Sequence, residues 1–128
     1  MTNHVHLIAS SGTGTLSDTL RDLKKFTSVE IVKAIQNNSK ESRKEWMLEI
    51  FQKAGKENAR NTSNQFWRQD NQPKECYSYD FTNQKLNYVH NNPVAEGIVD
   101  YAENYIYSSA RNYAGLTGLL NVELLFRS

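Results

Sequence analysis

Apolar positions near the start of the chain follow the period of a strand and then switch to that of a helix. Residues 3–9 end in Val5, Leu7, Ile8 and Ala9, a run rich in strand formers, and predict a strand. Residues 10–15 are polar and contain glycine, so they read as a loop. From Leu16 or Ser17 onward, Leu20, Leu23, Phe26, Ile31, Val32 and Ile35 supply a helical stripe, capped by Ser17 or Thr19. The spacing Thr27-x-x-Glu30 matches a capping box and predicts a fresh helix start at Thr27. After the break at Asn37-Asn38-Ser39, residues 40–59 predict a second helix. Its apolar positions are Trp46, Met47, Ile50, Phe51 and Ala54, with Gly55 at a fraying end.

The second half is more broken. Residues 58–64 read as a polar bridge and residues 65–69 as a short strand. Residues 70–73, ending in Pro73, read as a turn. Residues 79–90 predict a helix whose Leu86 and Val89 face a core. Pro93 lacks an amide donor and restricts the residue before it, so a helix end or kink is expected at Asn92. Residues 101–113 read as helical or irregular, and residues 116–125 as an apolar tail.

A length of 128 residues predicts a single domain over 1–128. Its 23% charged and 38% hydrophobic residues are ordinary for a globular protein. No apolar run approaches a membrane span, and no basic-then-apolar leader opens the sequence. Cys76 is the one cysteine, which excludes an internal disulfide and suits a reducing cytoplasm. The net charge of +1 does not advertise nucleic acid, but its distribution is uneven. Arg21, Lys24, Lys25 and Lys33 recur at roughly helical spacing, as a DNA-facing stripe or a plain solvated face. Later basic residues interleave with Glu41, Glu45, Glu49 and Glu57, the pattern of a solvated helix.

Two spacings carry candidate chemistry. On extended backbone, residues two apart share a face, so His4 and His6 would project together as a two-pronged metal claw. On a helix, Tyr88 and Asn92 would lie one turn apart on one face. A hydroxyl and an amide laid over two imidazoles would set a nucleophile beside a metal site. Each half alone also has a plain reading, a surface histidine pair and a packed aromatic.

Longer motifs resemble a known family. Asn3-His4-Val5-His6-Leu7, Phe66-Trp67-Arg68-Gln69-Asp70-Asn71, Lys85-Leu86-Asn87-Tyr88-Val89-His90-Asn91-Asn92-Pro93-Val94 and Tyr105-Ile106-Tyr107-Ser108-Ser109-Ala110-Arg111-Asn112-Tyr113 occur in order along the chain. Together they resemble the HUH single-tyrosine (IS200-like) transposases, in the REP-associated branch. Thr2 stands where that family usually has proline, and Gln72 where it often has histidine.

The resemblance implies an α/β, ferredoxin-like or RRM-like sandwich with an antiparallel sheet. It also implies that His4, His6 and Asn92 hold one divalent cation, Mg²⁺ or Mn²⁺, and that Tyr88 is the nucleophile. The product would be a 5′-phosphotyrosine on hairpin-forming single-stranded DNA. Mixed nitrogen and oxygen ligation suits such an ion better than a closed zinc site. A free phenol titrates near 10, so a neighbour must accept its proton or lower that value; Lys85 and His90 are near in sequence, and the sequence assigns the job to neither. Arg21, Lys24, Lys25 and Arg68 are the candidate DNA-binding residues. His90 falls on another helical face and is expected to be structural or to touch DNA.

In that family a strand, a helix and a strand precede the histidine motif, whereas three residues precede His4 here. The expectation is therefore an N-terminally truncated relative with an exposed sheet edge, prone to form a homodimer. Three readings compete on these grounds: a metal-dependent DNA strand transferase, an inactive relative that only binds hairpin DNA, and a plain α/β interaction domain with His4 and His6 as a surface pair. The joint presence of His4, His6, Tyr88 and Asn92 argues against the third.

Overall fold

The computed structural model describes residues 3–59, 63–69 and 71–126. They form helices α1 (Leu16–Asn37), α2 (Lys44–Lys56), α3 (Tyr79–Ala95) and α4 (Ala110–Tyr113), with a 3-10 turn at Ala102–Asn104 between α3 and α4. No strand occurs among the described residues, so the expected sandwich with an antiparallel sheet is not what this chain builds. The reason lies in pairing. Strand propensity is local, but a strand exists only where a neighbour completes its ladder of N–H and C=O bonds. Residues 4–10 lack any regular secondary structure, and residues 65–69 are irregular too.

The chain divides into two compact units, one of residues 9–73 and one of residues 1–8 with 74–128. In the first, α1 begins at Leu16, one of the two expected starts, but its cap is Thr15 and not Ser17 or Thr19. The Thr15 hydroxyl accepts from the Asp18 amide at 3.1 Å and donates to its carboxylate at 2.7 Å. No new helix starts at Thr27. Its hydroxyl donates back to the Leu23 carbonyl at 2.7 Å, so the residue joins the helix instead of capping another. α2 is shorter than predicted at both ends.

Gly55 is not frayed but buried, because the chain returns across it. A Cβ there would lie 2.6 Å from the Ser63 carbonyl oxygen and 2.9 Å from the Asn64 Cα. The returning segment is tied down at several points. The Gln65 amide donates to the Phe51 carbonyl at 2.9 Å, and the Trp67 indole N–H donates to the Thr27 hydroxyl at 2.9 Å. Phe66 packs edge-on against both Phe51 and Trp67. Residues 60–62 of the expected polar bridge and Asp70 of the expected turn lie outside the described residues.

In the second unit, Ser78 caps α3 by accepting from the Phe81 amide at 3.3 Å. α3 passes the expected end at Asn92 and carries Pro93 inside its last turn. Proline there forfeits one bond near the terminus, and the helix closes three residues later. Gly97, at φ +67°, follows the last turn, and its amide donates to the Val94 carbonyl at 2.9 Å. Leu86, His90 and Pro93 form the buried stripe of α3, which leaves Tyr88 on an open face. The tail beyond α4 is held by polar side chains. Arg111 donates to the Thr117 and Glu103 carbonyls, and Asn112 donates to the Leu120 carbonyl.

Among the described residues, the buried hydrophobic ones are Val32, Leu86 and Ala110, while large apolar side chains such as Phe26 and Val29 are exposed. No helix among them is long and apolar enough to cross a membrane.

Candidate functional site: a histidine pair against the Tyr88 helix

His4, His6, Tyr88 and Asn92 all belong to the second unit. The His4 and His6 imidazoles meet edge to face, with ring centroids 5.0 Å apart. The His6 ring packs edge-on against Tyr88 at 5.4 Å. The claw and the candidate nucleophile are thus brought together without the sheet that was expected to position them. Asn92 follows Tyr88 by one turn of α3, on the same helical face.

The state of the polar atoms is the informative part. The His4 Nδ1 lies 2.6 Å from the Asn3 amide oxygen. That oxygen only accepts, so the contact favours the tautomer with the proton on Nδ1 and a lone pair on Nε2, one of the two nitrogens through which imidazole can bind a metal. The His6 Nε2 and the Asn92 Oδ1 are both buried and have no hydrogen-bond partner. Burying such an atom unpaired costs about 1–3 kcal/mol. Both belong to residues that the two spacings singled out, and each is a kind of donor that a hard or borderline cation accepts. Burial, and then the neighbouring His4, hold the His6 pKa below the usual imidazole value, so its ring stays neutral and able to donate a lone pair. No cluster of three or more His, Cys, Asp or Glu occurs among the described residues. The third ligand would be the neutral amide of Asn92.

Tyr88 is 56% exposed, and among the described residues its hydroxyl makes no hydrogen bond, so an incoming phosphate has access to it. Neither expected neighbour takes the phenol proton here. The Lys85 ammonium sits over the Phe81 ring at 4.9 Å. His90 is buried, its Nε2 2.9 Å from the Ser109 hydroxyl and its ring packed on Tyr113. His90 therefore ties α3 to α4, with burial lowering its pKa. Ser109 and Tyr113 escaped sequence reasoning as partners because nothing in the local pattern marks a contact across nineteen residues.

The four candidate DNA-binding residues line one groove of about 850 Å³ in the first unit, between α1 and residues 63–69. They are not equivalent. Arg21 is paired with Asp18 at 2.5 Å and Asp22 at 3.0 Å. Lys24 is a strut, donating to the Arg68 carbonyl at 3.0 Å and the Asn71 amide oxygen at 2.8 Å. Lys25 and Arg68 form no ion pair among the described residues, and Lys33 shares the groove with them. Among the described residues, no acidic side chain lines it. Asn64, which no sequence signal marked, contributes a buried amide oxygen without a partner.

No protein-family model, curated protein or solved structure matches this chain.

Proposed function

We propose that this protein is a metal-dependent tyrosine transposase that cuts and rejoins hairpin-forming single-stranded DNA in the cytoplasm. The observation that carries the reading is the pair of orphaned buried atoms, His6 Nε2 and Asn92 Oδ1, beside an exposed Tyr88. The resemblance of the sequence motifs to HUH single-tyrosine transposases supports it independently of the fold.

In this reading, His4 and His6 supply imidazole nitrogens and Asn92 an amide oxygen to one divalent cation, Mg²⁺ or Mn²⁺. When bound, such an ion neutralises phosphate charge and acts as a Lewis acid. The exposed Tyr88 hydroxyl oxygen attacks phosphorus as its proton passes to solvent water. A bond forms between that oxygen and phosphorus while the bond to the 3′ oxygen breaks, and the 3′ oxygen takes up a proton. The products are a 5′-phosphotyrosine and a free 3′-hydroxyl. The phosphodiester energy is kept in the new bond, so a second 3′-hydroxyl can reverse the step on another strand. Lys25 and Arg68 contact phosphates in the basic groove.

One observation favours the second reading, a protein that binds hairpin DNA without cutting it. The histidines sit on backbone with no ladder partner, so their position depends on packing against α3, whereas the basic groove does not depend on them.

The test is incubation with hairpin-forming single-stranded DNA and Mn²⁺, followed by denaturing electrophoresis. Cleavage chemistry predicts a protein–DNA adduct that disappears with chelator and in Tyr88→Phe, which still binds DNA. Binding without any adduct would select the second reading.

A further inference from the structure

Phe81, Lys85, Tyr88 and Asn92 follow one another along α3 at spacings of four, three and four residues, so they share one face of the helix. The buried residues Leu86, His90 and Pro93 take the other side. Cleavage chemistry uses only Tyr88 and Asn92 of this row. Phe81 and Lys85 make up the rest, and both are half-buried.

Phe81 is the centre of a small stack. The Tyr77 ring lies nearly parallel to it, with centroids 5.0 Å apart and 18° between the planes. The Lys85 ammonium sits 4.9 Å from the centroid of the same ring. Ser78 fixes the backbone between the two rings. Its hydroxyl accepts from the Phe81 amide at 3.3 Å and its carbonyl from the Thr82 hydroxyl at 2.7 Å. The stack covers one face of Tyr77, yet the residue is 76% exposed, so its other face is open to solvent. Lys85 forms no ion pair among the described residues.

An open aromatic face beside an unpaired cation suits a single-stranded nucleotide, whose base stacks while its phosphate takes the charge. A protein partner would call for aliphatic surface around the rings, but the neighbouring exposed positions of α3 are Asp80, Gln84 and Asn87. Asp80, the acidic one, lies about 100° around the helix from Phe81 and so off the row. The spacing along the helix fits too. Lys85 precedes Tyr88 by about 4.5 Å of helical rise and Phe81 precedes it by about 10.5 Å. The longer span equals about three stacked nucleotides at roughly 3.4 Å each.

We propose that Tyr77, Phe81 and Lys85 form a single-strand subsite on the helix that carries Tyr88. An unpaired base stacks on the open face of Tyr77, and Lys85 holds a phosphate between that base and the scissile bond. The subsite rests on the reading of single-stranded DNA as the substrate. It sets which stretch of an unpaired arm reaches the nucleophile.

Filter-binding titrations with two probes test it: a DNA hairpin without overhang, and the same hairpin carrying an unpaired oligothymidine arm. The arm should tighten wild-type binding about tenfold, the worth of one stacked base. Tyr77→Ala should lose that gain and bind the bare hairpin as the wild type does, whereas Tyr77→Phe, which keeps the ring, should retain it. Lys85→Gln should lower the logarithmic salt slope by about 0.7 on the armed hairpin alone. Equal wild-type affinity for the two probes would overturn the subsite. So would a Tyr77→Ala protein that keeps the gain; if its DNA adduct still required Tyr88, the cleavage reading would stand without the subsite. A gain lost in Tyr77→Ala, in a protein whose wild type forms no adduct with Mn²⁺, would support the subsite and sink the cleavage reading. Far-ultraviolet circular dichroism of each variant checks that α3 remains folded.

Discussion

Gly55→Ala separates what helix propensity dictates from what the tertiary structure dictates. Gly55 lies inside α2, where alanine is intrinsically better by about 1 kcal/mol. Propensity alone therefore predicts stabilisation. The structure predicts the reverse, because the new methyl would sit 2.6 Å from the Ser63 carbonyl oxygen and 2.9 Å from the Asn64 Cα. Both are backbone atoms, so no side chain can rotate away and residues 63–69 must shift. Overpacking of this kind costs roughly 1–3 kcal/mol, and a clash with backbone belongs at the upper end. The net loss is about 2 kcal/mol. For a cooperative unit the size of residues 9–73, that lowers the melting temperature on the order of 10 °C. Because the displaced segment carries Trp67 and Arg68, hairpin-DNA affinity should fall with it. Thermal unfolding by circular dichroism reads the first effect and a filter-binding titration the second. A melting temperature that rises would refute the close approach and return Gly55 to the frayed helix end the sequence suggested.

Asn92→Leu removes an unpaired buried oxygen, so the metal-free protein should gain about 1 kcal/mol, while the melting shift induced by Mn²⁺ should vanish. An unchanged Mn²⁺ shift would exclude Asn92 as a ligand. Acid should destabilise the fold through His90. Its folded pKa lies below the ordinary 6.5, so the unfolded chain binds more protons, and stability is lost as pH falls through 6.5 toward the lower folded value. Chemical denaturation at a series of pH values should show this slope, reduced in His90→Phe. Arg68→Gln should lower the salt dependence of single-strand binding by about 0.7 in logarithmic slope, whereas Arg21→Gln should change it little because Asp18 and Asp22 already neutralise that guanidinium. Equal effects of the two substitutions would contradict the assignment of the groove's free charges.

The helices were largely legible in the sequence and the sheet was misread, for one physical reason. The apolar periodicity at Leu20, Leu23 and Val32 reports a helix because its hydrogen bonds are internal to the segment. The run of strand formers in residues 3–9 reports only a tendency, and the sheet to receive it came from the family resemblance, not from these residues. Pro93 was read as an end or a kink at Asn92 because its missing donor was weighed without its place in the last turn. Gly55 looked like a frayed end because the return of residues 63 and 64 across it is a tertiary fact. The site fared better. The two-residue spacing of His4 and His6 and the four-residue spacing of Tyr88 and Asn92 each set side chains on one face whether or not a sheet is present. The distinction between Arg21, paired with Asp18 and Asp22, and Arg68, which forms no ion pair among the described residues, was not readable, since it depends on rotamers of Asp18 and Asp22 as much as on spacing.

The central claim is that Tyr88 is the residue that becomes joined to DNA. The direct measurement is protease digestion of the chain after reaction with hairpin-forming single-stranded DNA and Mn²⁺, with mass spectrometry locating the tyrosine that carries the nucleotide. The account predicts the modification on the α3 peptide at Tyr88 and its loss when Mn²⁺ is chelated. A nucleotide on Tyr79 or Tyr101 would contradict it, as would a Tyr88 peptide that stays unmodified while the DNA is cleaved.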